Sequence, residues 1–181
     1  MKTEKISVAE ISRLREAAEI ERNTHHEVMN RISKISSVQV GFNWLPDGLP
    51  AKEQMQIVKR GNQKEIMALL TAYANLRMSS HDEERFERVN IAPEVQMYIF
   101  HQPIGFDAAR IYMLEHNRLC LDVETELIKK KMMSVIAKKR LSPKAEVFLL
   151  THCLHEGKEQ DSDSSLFPVQ EYLEKNRLSP L

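Results

Sequence analysis

The densest group of chemistry-bearing residues in this chain is His152-Cys153-Leu154-His155-Glu156. His152 and His155 stand three apart, which puts both imidazoles on one helical face, and Glu156 falls one turn from His152. Two imidazoles and a carboxylate can hold a zinc ion with an open coordination position, as a metal-dependent enzyme requires. The helix carrying them ends at Gly157, however, and the dipole alone favours histidine at a helix C-terminus. No second ligand cluster is marked elsewhere, and His25 and His26 diverge by about 100 degrees on a helix and do not share a metal. The expectation is therefore no bound metal and no cofactor, with His152, His155 and Glu156 as the weak candidates. GxGxxG, P-loop, GxSxG and HExxH patterns are all missing, so no enzymatic activity is expected.

The second group is basic. Lys129, Lys130, Lys131, Lys138, Lys139 and Arg140 lie in a stretch without glycine or proline, which predicts one continuous helix from Val123 to Lys139. A basic helix over 123–140, with Lys129, Lys130, Lys138 and Arg140 as its patch, can contact phosphates in a nucleic-acid-binding regulatory protein. A solvated helix face with a basic C-terminal end predicts the same residues. The whole-chain balance favours the second reading: Lys plus Arg and Asp plus Glu both total 26, and the pI is about 7.1. That is not the field of a dedicated nucleic-acid or anionic-membrane binder.

The elements that must position these groups are helical. Aromatics make up only 6% of the chain and there are five glycines, so the expected class is all-α. Cys120 and Cys153 are far apart, which fits a reducing, cytoplasmic setting. The charged stretch from Met1 to Glu10 lacks the apolar core of a signal peptide, and no stretch approaches a membrane span.

Within this helical chain a short cassette recurs. Arg, an aliphatic residue and a small residue follow one another at Arg77-Met78-Ser79, Arg118-Leu119-Cys120, Arg140-Leu141-Ser142 and Arg177-Leu178-Ser179. Five residues before each aliphatic anchor sits Tyr73, Leu114, Ile136 or Leu173. Five residues after the first three sits Glu83, Glu124 or Glu146, and eight after sits Phe86, Leu127 or Leu149. Leu49 with Gln54 and Ile57, and Ile91 with Gln96 and Ile99, fit the downstream half. The physics is that of one helix ending and another beginning: the Arg complements a helix C-terminus, and the small residue is an N-cap. Ser142-Pro143 is the best such start, since proline at the first helical position gives up only an amide that would be unpaired. Gly61, Gly105 and Gly157 then end short helices, Asn62 with Glu65 opens the next helix with a capping box and Pro93 begins another, so a full unit is a helical hairpin.

Ahead of the units, Ser7 and Glu10 open a long helix with an apolar stripe at Ile11, Leu14, Ala18, Val28, Ile32 and Ile35. Thr24 and Glu27 repeat the capping spacing, which leaves two alternatives for this segment, one helix or a pair that breaks near Asn23. The chain thus divides into an N-terminal helical cap (1–36), an irregular segment (37–48) and a hairpin region (49–181), within one domain. Trp44 in the irregular segment is a plug for the end of the stack or a binding anchor.

On the recurring cassettes, residues 49 to 181 resemble the broad class of α/α superhelical repeat proteins, similar in logic to HEAT and armadillo arrays but with shorter units. The resemblance implies a right-handed superhelix of degenerate hairpins that binds a protein partner on its surface, with no catalytic residues. Gln54, Gln96, Glu124 and Glu146, recurring at one position of the first helices, are the candidates for a partner-facing row. The alternative is that each brackets its own repeat.

Overall fold

The computed structural model describes residues 7–37, 48–79, 90–102, 105–136, 138–139, 141–156 and 172. Among them the chain is helical, and no strand is present: α1 (Val8–Ser37), α2 (Ala51–Lys59), α3 (Gln63–Ser79), α4 (Pro93–His101), α5 (Asp107–His116), α6 (Leu121–Lys129), α7 (Met133–Ile136) and α8 (Pro143–Glu156). None of these helices is long and apolar enough to cross a membrane. The cassette at Arg77-Met78-Ser79 closes α3, and the residues after it, with Glu83 and Phe86, lie outside the described part.

The helices pair as α2 with α3, α4 with α5 and α6 with α7, and they pack in two rows. The first helices form one row, α2 against α4, α4 against α6 and α6 against α8. The other row begins with α1, which packs on α3, and α3 packs on α5. The core lies between the rows. It takes the anchors Ile91, Leu119 and Leu141 and the residues eight positions after each unit start, Ile57, Ile99, Leu127 and Leu149, all buried. From the second row come Ile66, Leu69, Leu70 and Met113, and from α7 comes Ile136. Burying a Leu or Ile side chain contributes roughly 1.5–3 kcal/mol, so these recurring positions are the main source of cohesion between neighbours.

Helix starts and stops follow local chemistry. Ser7 Oγ accepts the Glu10 amide and opens α1, and Asn62 Oδ1 accepts the Lys64 amide at 3.1 Å and opens α3. Pro93 stands in the first turn of α4, where its missing amide costs nothing. Gly61 and Gly105 adopt left-handed φ values of 72° and 81° between the helices of the first two hairpins.

One expectation is corrected here. The helix foreseen from Val123 to Lys139 is broken after Lys129, because Lys131 takes a φ of 54°. Its amide bonds Ile128 O and the Met132 amide bonds Leu127 O, the double closure that normally uses glycine. Lys131 stands twelve residues after Leu119, as Gly61 stands twelve after Leu49, so the third unit turns where the first does without the residue that marks the turn in sequence. Of the two alternatives for the N-terminal cap, α1 is the single helix and runs unbroken through Asn23. Thr24 Oγ1 donates back to Ile20 O at 2.8 Å, and Glu27 pairs with Arg31, so the two residues that resemble a helix start support its middle.

Candidate functional site

The recurring polar position makes the same kind of bond from one unit to the next. Gln54 Nε2 donates to Leu49 O at 2.8 Å in its own unit, and Gln54 Oε1 accepts the Ala92 amide at 2.9 Å in the next. Gln96 repeats this: Nε2 donates to Ile91 O at 2.8 Å and to Arg118 O at 3.1 Å, and Oε1 accepts the Cys120 amide at 2.8 Å. Glu124 accepts the Ser142 amide on Oε1 at 3.0 Å and the Ser142 hydroxyl on Oε2. Each side chain therefore joins its own first helix to the start of the next unit, through the residue that follows the anchor. Burial pushes the Glu124 carboxyl above its ordinary pKa, against the lowering effect of its Ser142 bonds.

Two tyrosines complete the row. Tyr73 of α3 places its hydroxyl 3.2 Å from Gln54 Nε2. Tyr172 donates to Glu146 Oε1 at 2.8 Å and accepts the Leu141 amide at 3.1 Å. Burial raises both phenols to about 12, so they stay neutral donors throughout the physiological range. Gly48 lies so close that an added Cβ would stand 2.5 Å from the Tyr73 oxygen.

The candidate row of Gln54, Gln96, Glu124 and Glu146 lies inside the described part of the molecule, at the joins between units. All four are buried, Gln96 completely, and they bond to backbone groups, to the Ser142 hydroxyl and to tyrosine hydroxyls. A cleft of about 490 Å³ runs beside the row, lined by Leu49, Pro50, Tyr73, Ile91, Pro93 and Cys120 among others. Cys120 is half-buried there, and burial pushes its thiol up, away from the reactive thiolate.

The basic patch is divided by the turn at Lys131. Lys129 pairs with Glu126 at 3.1 Å, and Lys130 sits 4.7 Å above the Phe100 ring, both on the first-helix side. Lys138 lies exposed beyond α7, where Lys139 donates to Asn117 O, and Arg140 is outside the described residues. No single helix presents these side chains together. His152 stacks on Phe148 with ring centroids 5.5 Å apart. The backbones of His155 and Glu156 lie in α8 but their side chains are outside the described part, and Trp44 lies outside it altogether. Among the described residues no group of three or more His, Cys, Asp or Glu side chains is placed to hold a metal.

Sequence reasoning missed a buried charge cluster. Glu65, fully buried, pairs with Arg60 at 3.1 Å and with His25 at 2.8 Å, and Arg60 reaches Glu21 at 2.7 Å. The capping spacing from Asn62 to Glu65 hid it, because Glu65 turns to α1 instead of to the helix start. The cluster fixes the middle of α1 at the turn between α2 and α3. Beyond it, the first half of α1 extends for about 20 Å at 1.5 Å per residue, and every residue from Ser7 to Asn23 is exposed. Leu14 is 60% exposed and Ile11 40%. With Ala18 they stand in the same heptad register, across Glu21 and His25, as the stripe that Ile32 and Ile35 bury against the core and that Val28 joins partly covered.

Compared with protein-family models, with curated proteins and with solved structures, the chain has no match.

Proposed function

We propose that this chain is a non-enzymatic protein-binding module of the cytoplasm, a right-handed superhelix of degenerate helical hairpins that holds its N-terminal helix out for a partner. The observation that carries the reading is the apolar seam of α1, buried at Ile32 and Ile35, partly covered at Val28 and continued in heptad register by the exposed Ile11, Leu14 and Ala18. An amphipathic helix of a partner fits such a seam, laying its own apolar stripe along it in the way helices dock side by side. The buried row of Gln and Glu side chains supports the module rather than the contact, since it joins one unit to the next. The test is a pull-down from native extract with full-length chain, at low and high salt, comparing wild type with the Ile11→Asp, Leu14→Asp double variant. A protein partner retained at high salt and lost in the variant, with the melting temperature unchanged, is expected. Retention by the variant, or recovery of nucleic acid that is lost at high salt, overturns the reading.

A further inference from the structure

Where α1 passes the hairpins its seam positions are polar, and their bonds show which way the seam faces. Glu21 bonds Arg60 at 2.7 Å and His25 bonds Glu65 at 2.8 Å, both at the turn between α2 and α3. Ala18, Leu14 and Ile11 follow on the same face at heptad spacing, so they stand over that turn as a wall over a floor. The floor is continuous across the hairpins. Gln63 donates to Gly105 O, which joins the first turn to the second, and Lys59 of α2 and Lys130 at the end of α6 approach the rings of Tyr98 and Phe100 near the end of α4.

This floor is basic, although the whole chain has no net charge. At the first turn Lys59, Arg60 and Lys64 stand with Glu21 and Glu65. At the second Arg110 pairs with Asp107, and at the third Lys129, Lys130 and Lys131 stand with Glu126. Among the described residues seven cations therefore line this edge beside four acids. Helix dipoles do not call for the surplus, because α2, α4 and α6 end here while α3 and α5 begin here, and the opposed fields largely cancel. The projecting half of α1 adds no net charge, with Glu10, Glu16 and Glu19 against Arg13, Arg15 and Arg22.

We propose that wall and floor form one docking corner and that its occupant is an acidic amphipathic helix of a partner protein. Its apolar stripe lies against Ile11, Leu14 and Ala18, and its carboxylates meet the basic turns. The corner rests on the protein-binding reading above and adds the chemistry of the partner. Complementary charge selects a partner more than it tightens one, so the signature is discrimination by sign that salt weakens.

The test uses two labelled synthetic peptides of about three heptads, with Leu at both seam positions and either Glu or Lys at the polar positions. Each is titrated into the full chain by fluorescence anisotropy at low and high salt. The Glu peptide is expected to bind about tenfold more tightly at low salt, with the gap narrowing as salt screens the charges. Leu14→Asp is expected to remove its binding, and Lys59→Gln with Lys64→Gln to weaken it about fivefold. Lys52→Gln with Lys144→Gln makes the same change in net charge at the opposite edge, where α2 and α8 begin, and is expected to leave binding unaltered. If both peptides need Leu14 but bind equally, the acidic partner is wrong and the seam stands. If neither binds, or neither needs Leu14, the corner is wrong, and the pull-down above decides the seam on its own. Equal weakening by the two lysine pairs reduces the selection to whole-chain charge and overturns the floor. A single-stranded DNA that binds more tightly than the Glu peptide, and is weakened by the Lys59 and Lys64 changes, gives the floor to nucleic acid and overturns the proposal. So does self-association that excludes the peptide and is lost in Leu14→Asp, which gives the seam to a second copy.

Discussion

Gln96 and Leu14 are each the reverse of what side-chain polarity predicts: the amide is completely buried and the leucine is 60% exposed. Gln96 is tolerated inside because both its amide hydrogens and its oxygen are bonded, to Ile91 O, Arg118 O and the Cys120 amide. A buried polar group costs stability only when it lacks such partners. Leu14 stands outside because α1 passes the α2–α3 turn and nothing among the described residues lies beyond that turn to cover it. The row of inter-unit bonds is structure that looks like a surface, and the first half of α1 is surface that looks like core.

The largest effect should come from breaking the buried side of this contrast. Gln96→Ala removes three hydrogen bonds and leaves two carbonyls and an amide short of partners, which is expected to cost about 3 kcal/mol in urea unfolding. The Ile11→Asp, Leu14→Asp variant, with two apolar side chains replaced, should leave the unfolding midpoint in place. A smaller change sharpens the comparison at the third turn. Lys131 holds a left-handed conformation that costs a side chain about 1 kcal/mol, so Lys131→Gly is expected to raise stability by roughly 0.5–1 kcal/mol, whereas Lys130→Gly should lower it through the lost contact with Phe100.

The smallest effect is in pH. Burial raises the folded pKa of Glu124 above its ordinary 4.5, so the folded state holds this proton more tightly than the unfolded chain. Its contribution to stability is therefore fully present below pH 4.5 and declines as pH rises through the elevated value. Replacing Glu124 with Gln should flatten that part of the stability profile, measured by urea titration at stepped pH, and a profile left unchanged would show that the Ser142 bonds cancel the burial.

Much of the local structure is legible in the chain. Ser7, Asn62 and Pro93 start helices, Gly61 and Gly105 separate them, and the anchors with the aliphatics eight residues on are buried as their spacing implies. These are short-range effects, decided by the few residues around each position. The turn at Lys131 escaped because lysine carries no mark of left-handed backbone. The Glu65 cluster escaped because Glu65 and His25 are distant in sequence and Asn62 offers a nearer explanation for the acid.

Sequence by itself determined the all-helical class, the helix ends and the recurrence of one polar residue per first helix. Only the tertiary structure decided what that recurrence is for. A glutamine at the edge of an apolar face is equally suited to water and to a neighbour's backbone, and the choice depends on whether another unit start is brought within about 3 Å of it, as Ala92, Cys120 and Ser142 are. The same holds for the stripe of α1, which keeps its register across Glu21 and His25 while its burial stops where α3 begins. Periodicity names the face of a helix, and only packing supplies what covers it.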